Sequence, residues 1–179
     1  MKKALIILLL LSATTSCRTY LDLDRRRSIY SDFMNFDYLA THNQLVYKNK
    51  VNSSAGKDVF YTTHFSIALP KRLKNWLISS NEFFFEYDNK QIIYINSSHL
   101  NKGNAGKWVI QEVHDDKIYS ALSSYWYRRK YDEDALKSGK AGRVSKVYSD
   151  GKVSILLYNI KRENFDKDLN LVKQFKYLE

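Results

Sequence analysis

Glu82-Phe83-Phe84-Phe85-Glu86-Tyr87, followed by Asp88-Asn89-Lys90 and then Gln91-Ile92-Ile93-Tyr94-Ile95, is the stretch that decides the fold. Two aromatic and β-branched runs flank a short Asp/Asn turn, which is the pattern of a β-hairpin. Both runs are apolar on both faces, whereas an antiparallel strand with one wet face alternates. The hairpin is therefore expected near a sheet centre, covered on each side, with helices on at least one face. Downstream, Arg143–Ser149 and Lys152–Ile160 flank Asp150-Gly151, a two-residue loop whose members tolerate positive φ, so a second hairpin is expected there. Upstream, Asp58–Pro70 ends in alternation, with Phe65, Ile67 and Leu69 on one face and Ser66 and Ala68 on the other. Pro70, the only proline, stops that strand by removing a backbone donor.

The remaining periodicities fill in the chain. Ile29, Phe33, Phe36 and Leu39 form a helical stripe behind Ser28 as N-cap, which predicts a helix over Ile29–Ala40. Gln44–Lys48 reads as a strand and 49–57 as a loop. Leu73, Trp76 and Leu77 predict a short helix within Lys71–Ser80. A polar loop over 96–106 leads to a strand at Lys107–Val113. Asp115 or Asp116 is expected to cap a helix running through Ile118, Leu122 and Tyr125. That helix is expected to end before Gly139, with Lys137 in its last turn. Asn164 is expected to cap a final short helix with Phe165, Leu169 and Val172 on one face, and Gln174–Leu178 to finish as an edge strand. Adjacent hairpins require an antiparallel sheet, and amphipathic helices must bury their stripes on it. The expected class is α+β: a single domain over 28–179, its antiparallel sheet built from hairpins with helices packed on it.

Ahead of that body stands a leader. Lys2 and Lys3 precede the apolar run Ala4–Leu11, small and hydroxylated residues fill 12–16, and Cys17, the only cysteine, follows. This is the order of a bacterial export signal. The apolar run is far shorter than the roughly 20 residues a spanning helix needs. Ser16-Cys17 behind such a leader resembles the modification site of bacterial lipoproteins, although Thr14 stands where that family commonly has leucine. The resemblance implies cleavage before Cys17, a diacylglycerol on its sulfur and an acylated α-amino group. Residues 1–16 are then the signal peptide and 17–27 the lipid anchor and tether, with the bilayer as partner through acylated Cys17. In that family an aspartate after the cysteine commonly retains the protein at the inner membrane. Arg18 in that place implies the bacterial outer membrane. One acyl chain holds a protein only marginally, at about 0.8 kcal/mol per buried methylene, whereas two or three anchor stably. The alternative is an ordinary signal peptide that precedes a free thiol. Arg25-Arg26-Arg27 in the tether either rests on anionic headgroups, at about 1 kcal/mol per residue, or is solvated linker.

Removing residues 1–16 from the 179 leaves 163, enough for one domain with a substantial core. The leader takes two of the 29 basic residues, so 27 remain against 19 acidic ones, a net of +8. Export argues against nucleic acid as the partner of this positive, Tyr-rich chain. Either anionic lipid, an anionic glycolipid or an acidic envelope protein is the partner this surface attracts, or the net charge serves solubility alone. With Cys17 committed to lipid no internal disulfide is available, so stability must come from packing.

No catalytic, metal or cofactor motif emerges. His42, His64, His99 and His114 are scattered and never at a metal-ligand spacing. His114-Asp115-Asp116 reads as the start of a helix, and neither a G-x-S-x-G nor a P-loop is present. Tyr125-Trp126-Tyr127-Arg128-Arg129-Lys130-Tyr131 allows two readings. Exposed, a surface of Tyr125, Trp126, Arg128, Arg129 and Lys130 could stack on sugar rings and pair with phosphates. Otherwise the run belongs to an amphipathic helix with its aromatics in the core and its cations in solvent.

Thr62-Thr63-His64-Phe65-Ser66-Ile67-Ala68-Leu69-Pro70, a Trp-containing turn, a hydrophobic hairpin and the terminal Phe175-Lys176-Tyr177 together resemble PsbP/Mog1-like domains over 58–179. That resemblance implies a non-catalytic accessory or binding module and assigns no functional residue. The sequence thus favours an outer-membrane-anchored lipoprotein acting as such a module of the cell envelope. The alternatives are an envelope hydrolase whose site assembles in space, and a basic surface docking to lipopolysaccharide or anionic lipid.

Overall fold

The computed structural model describes residues 34–48, 50–52, 59–61, 64–79, 81–97 and 105–178. The expected leader, Cys17, the expected 17–27 tether, the start of the expected 29–40 helix with its Ser28 cap, and His99 lie outside the described residues. In chain order the elements are β1 (Met34–Tyr38), β2 (Asn43–Tyr47), β3 (Lys50–Asn52), β4 (Val59–Tyr61), β5 (Phe65–Leu69), β6 (Asn75–Ser79), β7 (Glu82–Tyr87) and β8 (Gln91–Ser97). They continue with β9 (Val109–Glu112), helix α1 (Asp115–Arg128), β10 (Arg143–Ser149), β11 (Val153–Lys161), helix α2 (Arg162–Val172) and β12 (Lys176–Tyr177). The strands form a six-stranded sheet in the order β6-β7-β8-β11-β10-β9, a four-stranded sheet in the order β1-β2-β5-β12, and the pair β3-β4. Every pairing is antiparallel.

Side-chain parity explains the layering. Successive strand residues point to opposite faces, so Phe83, Phe85 and Tyr87 enter one core while Phe84 enters another. Ile93 and Ile95 on β8, and Ile155 and Leu157 on β11, join the first core; Ile92, Tyr94, Leu156 and Tyr158 join the second. The first core lies between the two sheets, where Leu45, Tyr47, Phe65, Ile67 and Leu69 meet it and α2 adds Phe165, Leu169 and Val172. The second lies under α1, which contributes Ile118, Leu122, Tyr125 and Trp126. The six-stranded sheet is therefore covered on both faces, which is why Glu82–Tyr87 and Gln91–Ile95 carry no apolar/polar alternation. The result is a single compact domain of mixed α and β structure.

One irregularity changes the phase of β11. Val144 pairs with Ile160 but Lys146 pairs with Leu157, so β11 carries an extra residue opposite Ser145. Asn159 takes up the bulge at φ 57°, and its amide N–H donates to Ser145 Oγ at 3.0 Å. Beyond the bulge Ile160 turns into the first core, which simple alternation from Val153 would not allow.

Several expectations are corrected. Within the expected Ile29–Ala40 helix, Met34–Tyr38 is instead strand β1, paired from Met34↔Tyr47 to Tyr38↔Asn43, and Leu39 and Ala40 belong to no element. Phe36 packs on Phe85 (centroids 6.2 Å), but Leu39, the last member of the supposed stripe, is exposed. The short helix expected in Lys71–Ser80 is strand β6, because Trp76 and Leu77 serve opposite cores, as period two dictates. Lys50–Asn52 is a strand inside the expected 49–57 loop. The loop between β10 and β11 holds three residues, Asp150-Gly151-Lys152. Gly151 adopts φ 84° there, and Asp150 Oδ1 accepts from the amides of Lys152 and Val153. Asp115 and Asp116 lie in the first turn of α1 behind His114, and Asn164 lies inside α2 behind Lys161, so none of these three is an N-cap.

Helix α1 also stops ten residues earlier than Gly139 would place its end. Lys130 sits at φ 55°, its amide donates to Tyr127 O, and the amide of Tyr131 donates to Trp126 O. This is a Schellman closure, whose apolar clasp is the edge-on contact of Trp126 with Tyr131 (centroids 5.0 Å). The closing position usually holds glycine, so a lysine there gives no sequence signal of a helix end.

Candidate functional site

The closure sets where the aromatic and basic run points. Tyr125 and Trp126 are buried, whereas Arg128 and Lys130 are exposed beside Tyr127, which is 76% exposed. The five residues singled out in the sequence therefore do not form one stacking surface. Trp126 donates from Nε1 to the Asp132 carbonyl at 2.8 Å and meets Tyr158 edge-on at 5.8 Å. Tyr125 stacks on Phe84 at 5.0 Å and donates its hydroxyl to Glu86 Oε2 at 2.7 Å.

Glu86 is the polar centre beneath α1. It is 3% exposed, and its carboxylate accepts from Tyr125, from Tyr131 at 2.7 Å, and from Arg129 Nε at 3.2 Å. Burial, and then the bond to Glu86, hold the Tyr125 hydroxyl well above the usual phenol range. The Tyr131 hydroxyl is raised by the Glu86 bond first and by burial second. Both phenols therefore remain donors. Lys90 Nζ covers the outer face of the Tyr131 ring at 4.4 Å. With its partners all in place, the cluster braces the α1 terminus against the sheet.

On the other face of β7 the structure opens. A cleft of about 380 Å³ is bounded by the end of the four-stranded sheet (Thr41, Pro70–Arg72), the β7-β8 turn and helix α2. Tyr87 and Asp168 line it. The Tyr87 side chain is 7% exposed, and its hydroxyl has no hydrogen-bond partner. Burial, reinforced by the nearby Asp168 charge, pushes that hydroxyl well above the phenol range. Burial likewise pushes the Asp168 carboxyl from 3.8 to about 6, against the pull of Lys167.

The walls are held in a demanding conformation. Arg72 and Asn89 line the cleft at φ 57° and 58°, with Lys90 at 55° immediately behind. Non-glycine residues in the left-handed region cost of order 1–3 kcal/mol each and persist where their surroundings over-determine them. Here Asn159 Nδ2 donates to the carbonyls of Asn89 and Lys90, and Gln91 ties the Asp88 carbonyl to the Lys161 amide. Nothing in the sequence marked Tyr87 or Asp168. The accessible hints were a tyrosine closing a core strand and a carboxylate next to Leu169 on the apolar side of α2.

A wider recess of about 610 Å³ lies between β9, β10 and α2. Arg143, Lys146 and Arg162 line it with Glu112 and Asp166, and Lys146 is already paired with Glu112 at 2.7 Å. Among the described residues no group of three His, Cys, Asp or Glu is placed to hold a metal ion, and no helix is long and apolar enough to cross a membrane. No family model, no curated protein and no solved structure matches the chain.

The raised Asp168 carboxyl has a consequence for stability. Between 3.8 and about 6 the folded protein holds this proton more tightly than the unfolded chain does. Stability from this group is therefore greatest at low pH, falls as pH rises through that window, and stays lowered above it. Asp168→Asn is expected to stabilise the protein by about 1 kcal/mol at pH 7, after allowing for solvent screening of a half-buried group, and by about zero near pH 4. Urea denaturation of both proteins at the two pH values checks this. Equal stabilities at pH 7 would contradict it.

Proposed function

We propose that the protein is a lipoprotein of the bacterial outer membrane, held by acylated Cys17 and acting as a non-catalytic binding or accessory module of the cell envelope. The observation that carries the reading is the leader: two lysines, an eight-residue apolar run and Ser16-Cys17 at its end. Residues 1–16 are removed, 17–27 serve as anchor and tether, and 28–179 form the binding body. The sheets of that body grow from sequence-local hairpins with helices packed on them, a rigid frame for a surface site. The short-motif resemblance of 58–179 to PsbP/Mog1-like accessory domains points the same way. A cleft lined by an unpartnered hydroxyl and a desolvated carboxylate, with no nucleophile–histidine pair among its lining residues, suits binding better than hydrolysis.

A second reading is favoured by the exposed Arg128 and Lys130 beside Tyr127: a basic surface resting on lipopolysaccharide or anionic lipid. Such docking would weaken steeply with salt, whereas an acyl anchor would not. Growth of the producing cells with labelled fatty acid tests the main reading. Label is expected on the protein, retained through high-salt washing of membranes and lost in Cys17→Ser. An unlabelled protein that leaves the membrane in high salt would favour the second.

A further inference from the structure

The cleft between α2 and the β7-β8 turn is lined by more cations than anions. Lys71, Arg72, Lys161 and Lys167 line it together with Asp88 and Asp168. Lys74 engages Asp88 at 2.7 Å, Glu163 pairs with Lys161 at 3.6 Å and Lys71 donates to the Leu39 carbonyl, which leaves Arg72 and Lys167 against Asp168. The first turn of α2 adds Asn164 and the positive end of the helix dipole to the same wall. These features favour an anionic group at the rim.

Two groups deeper in ask for something different. The Tyr87 hydroxyl is more than nine-tenths buried yet makes no hydrogen bond, although buried polar groups are almost always satisfied. Asp168 is a partly desolvated carboxylate with Lys167 and the Tyr87 hydroxyl as electrostatic neighbours. A carboxylate accepts hydrogen bonds, and a phenol both donates and accepts, so together they match an alcohol function. A bare anion would leave Asp168 facing like charge. A neutral sugar would leave the cationic rim unused. The volume, about 380 Å³, falls within the range of small-ligand sites.

We propose that this cleft binds a phosphorylated sugar or polyol, its phosphate at Arg72 and Lys167 and its hydroxyl groups against Tyr87 and Asp168. The Asn159 and Gln91 clamps fix the β7-β8 turn, so that side of the cleft is formed before a ligand arrives. The assignment rests on the binding-module reading and supplies its ligand class. It does not depend on the anchor, so loss of the fatty-acid label on residue 17 would remove the address and leave the cleft chemistry standing.

The test is calorimetric titration of the full chain in detergent with glucose 6-phosphate. Glucose and inorganic phosphate serve as half-ligands, and dihexanoyl phosphatidylinositol as the lipid-borne form. Saturable binding of glucose 6-phosphate or of the short-chain lipid is expected, each half-ligand binding at least about tenfold more weakly. Preference between the two full ligands distinguishes a free from a membrane-borne source. Tyr87→Phe removes one unpartnered oxygen and should melt no lower than the parent, yet weaken binding by about tenfold. Arg72→Gln should weaken the phosphate-bearing ligands and leave glucose unaffected. Absence of saturable binding by both full ligands, or binding unchanged by both substitutions, would overturn the assignment.

Discussion

Glu86→Ala is expected to lose about 3–5 kcal/mol of folding free energy, the range for removing one partner of a buried ionic cluster. The loss comes less from the contacts themselves than from what remains behind. The Tyr125 hydroxyl is buried and would keep only Asn75 Nδ2, which donates to it at 3.1 Å. Tyr131 would keep only its long contact from Arg129 at 3.5 Å. Arg129 tempers the effect, since its side chain is 40% exposed and can turn to water. Glu86→Gln preserves an acceptor and most of the volume, so about 1–2 kcal/mol is expected from weakening charge-assisted bonds to neutral ones. Urea denaturation with an unchanged m-value provides the measurement. A Glu86→Ala protein within about 0.5 kcal/mol of the parent, as for an ordinary surface substitution, would contradict the structural role.

Trp126→Ala should cost a comparable amount, about 3–5 kcal/mol for truncating a fully buried indole. Trp126 is 0% exposed and fills the second core. Its ring also forms the clasp of the helix closure, and its Nε1 satisfies the Asp132 carbonyl. Arg128→Ala, two residues past Trp126 but in solvent, should change stability by no more than about 0.5 kcal/mol. The pair separates the two readings of the aromatic and basic run. A ligand-stacking surface would make Trp126 dispensable for folding, whereas a core residue at a helix terminus is indispensable.

The class of the fold was legible because its signals were local. Phe65, Ile67 and Leu69 alternate and are buried as alternation requires, and the doubly apolar β7 and β8 runs could only belong to a sheet covered on both faces. What misled was spacing that serves two periods. Trp76 and Leu77 fit a helical stripe as well as two faces of a strand, and only the pairing of β6 with β7, Trp76 opposite Phe85 and Leu77 opposite Phe84, decides between them. The end of α1 was illegible because a lysine occupies the left-handed position where glycine would have announced it.

The cleft was invisible for a related reason. Its residues come from the β1-β2 turn, the segment after β5, the β7-β8 turn, the end of β11 and α2, and the outermost, Thr41 and Leu171, stand 130 positions apart in the chain. Nothing short of tertiary pairing brings Arg72, Tyr87 and Asp168 together. The Glu86 cluster is intermediate. A glutamate inside an otherwise apolar run breaks the local rule and so called for partners, but the partners arrive from a helix terminus whose position could not be read.

The central claim, a binding body tied by lipid to the outer membrane, is tested most directly by the mass of the N-terminal peptide of the mature protein. The expected peptide starts at residue 17 and carries the added mass of a diacylglycerol and an amide-linked acyl chain. A mature polypeptide recovered from aqueous extract with an unmodified first residue would contradict it.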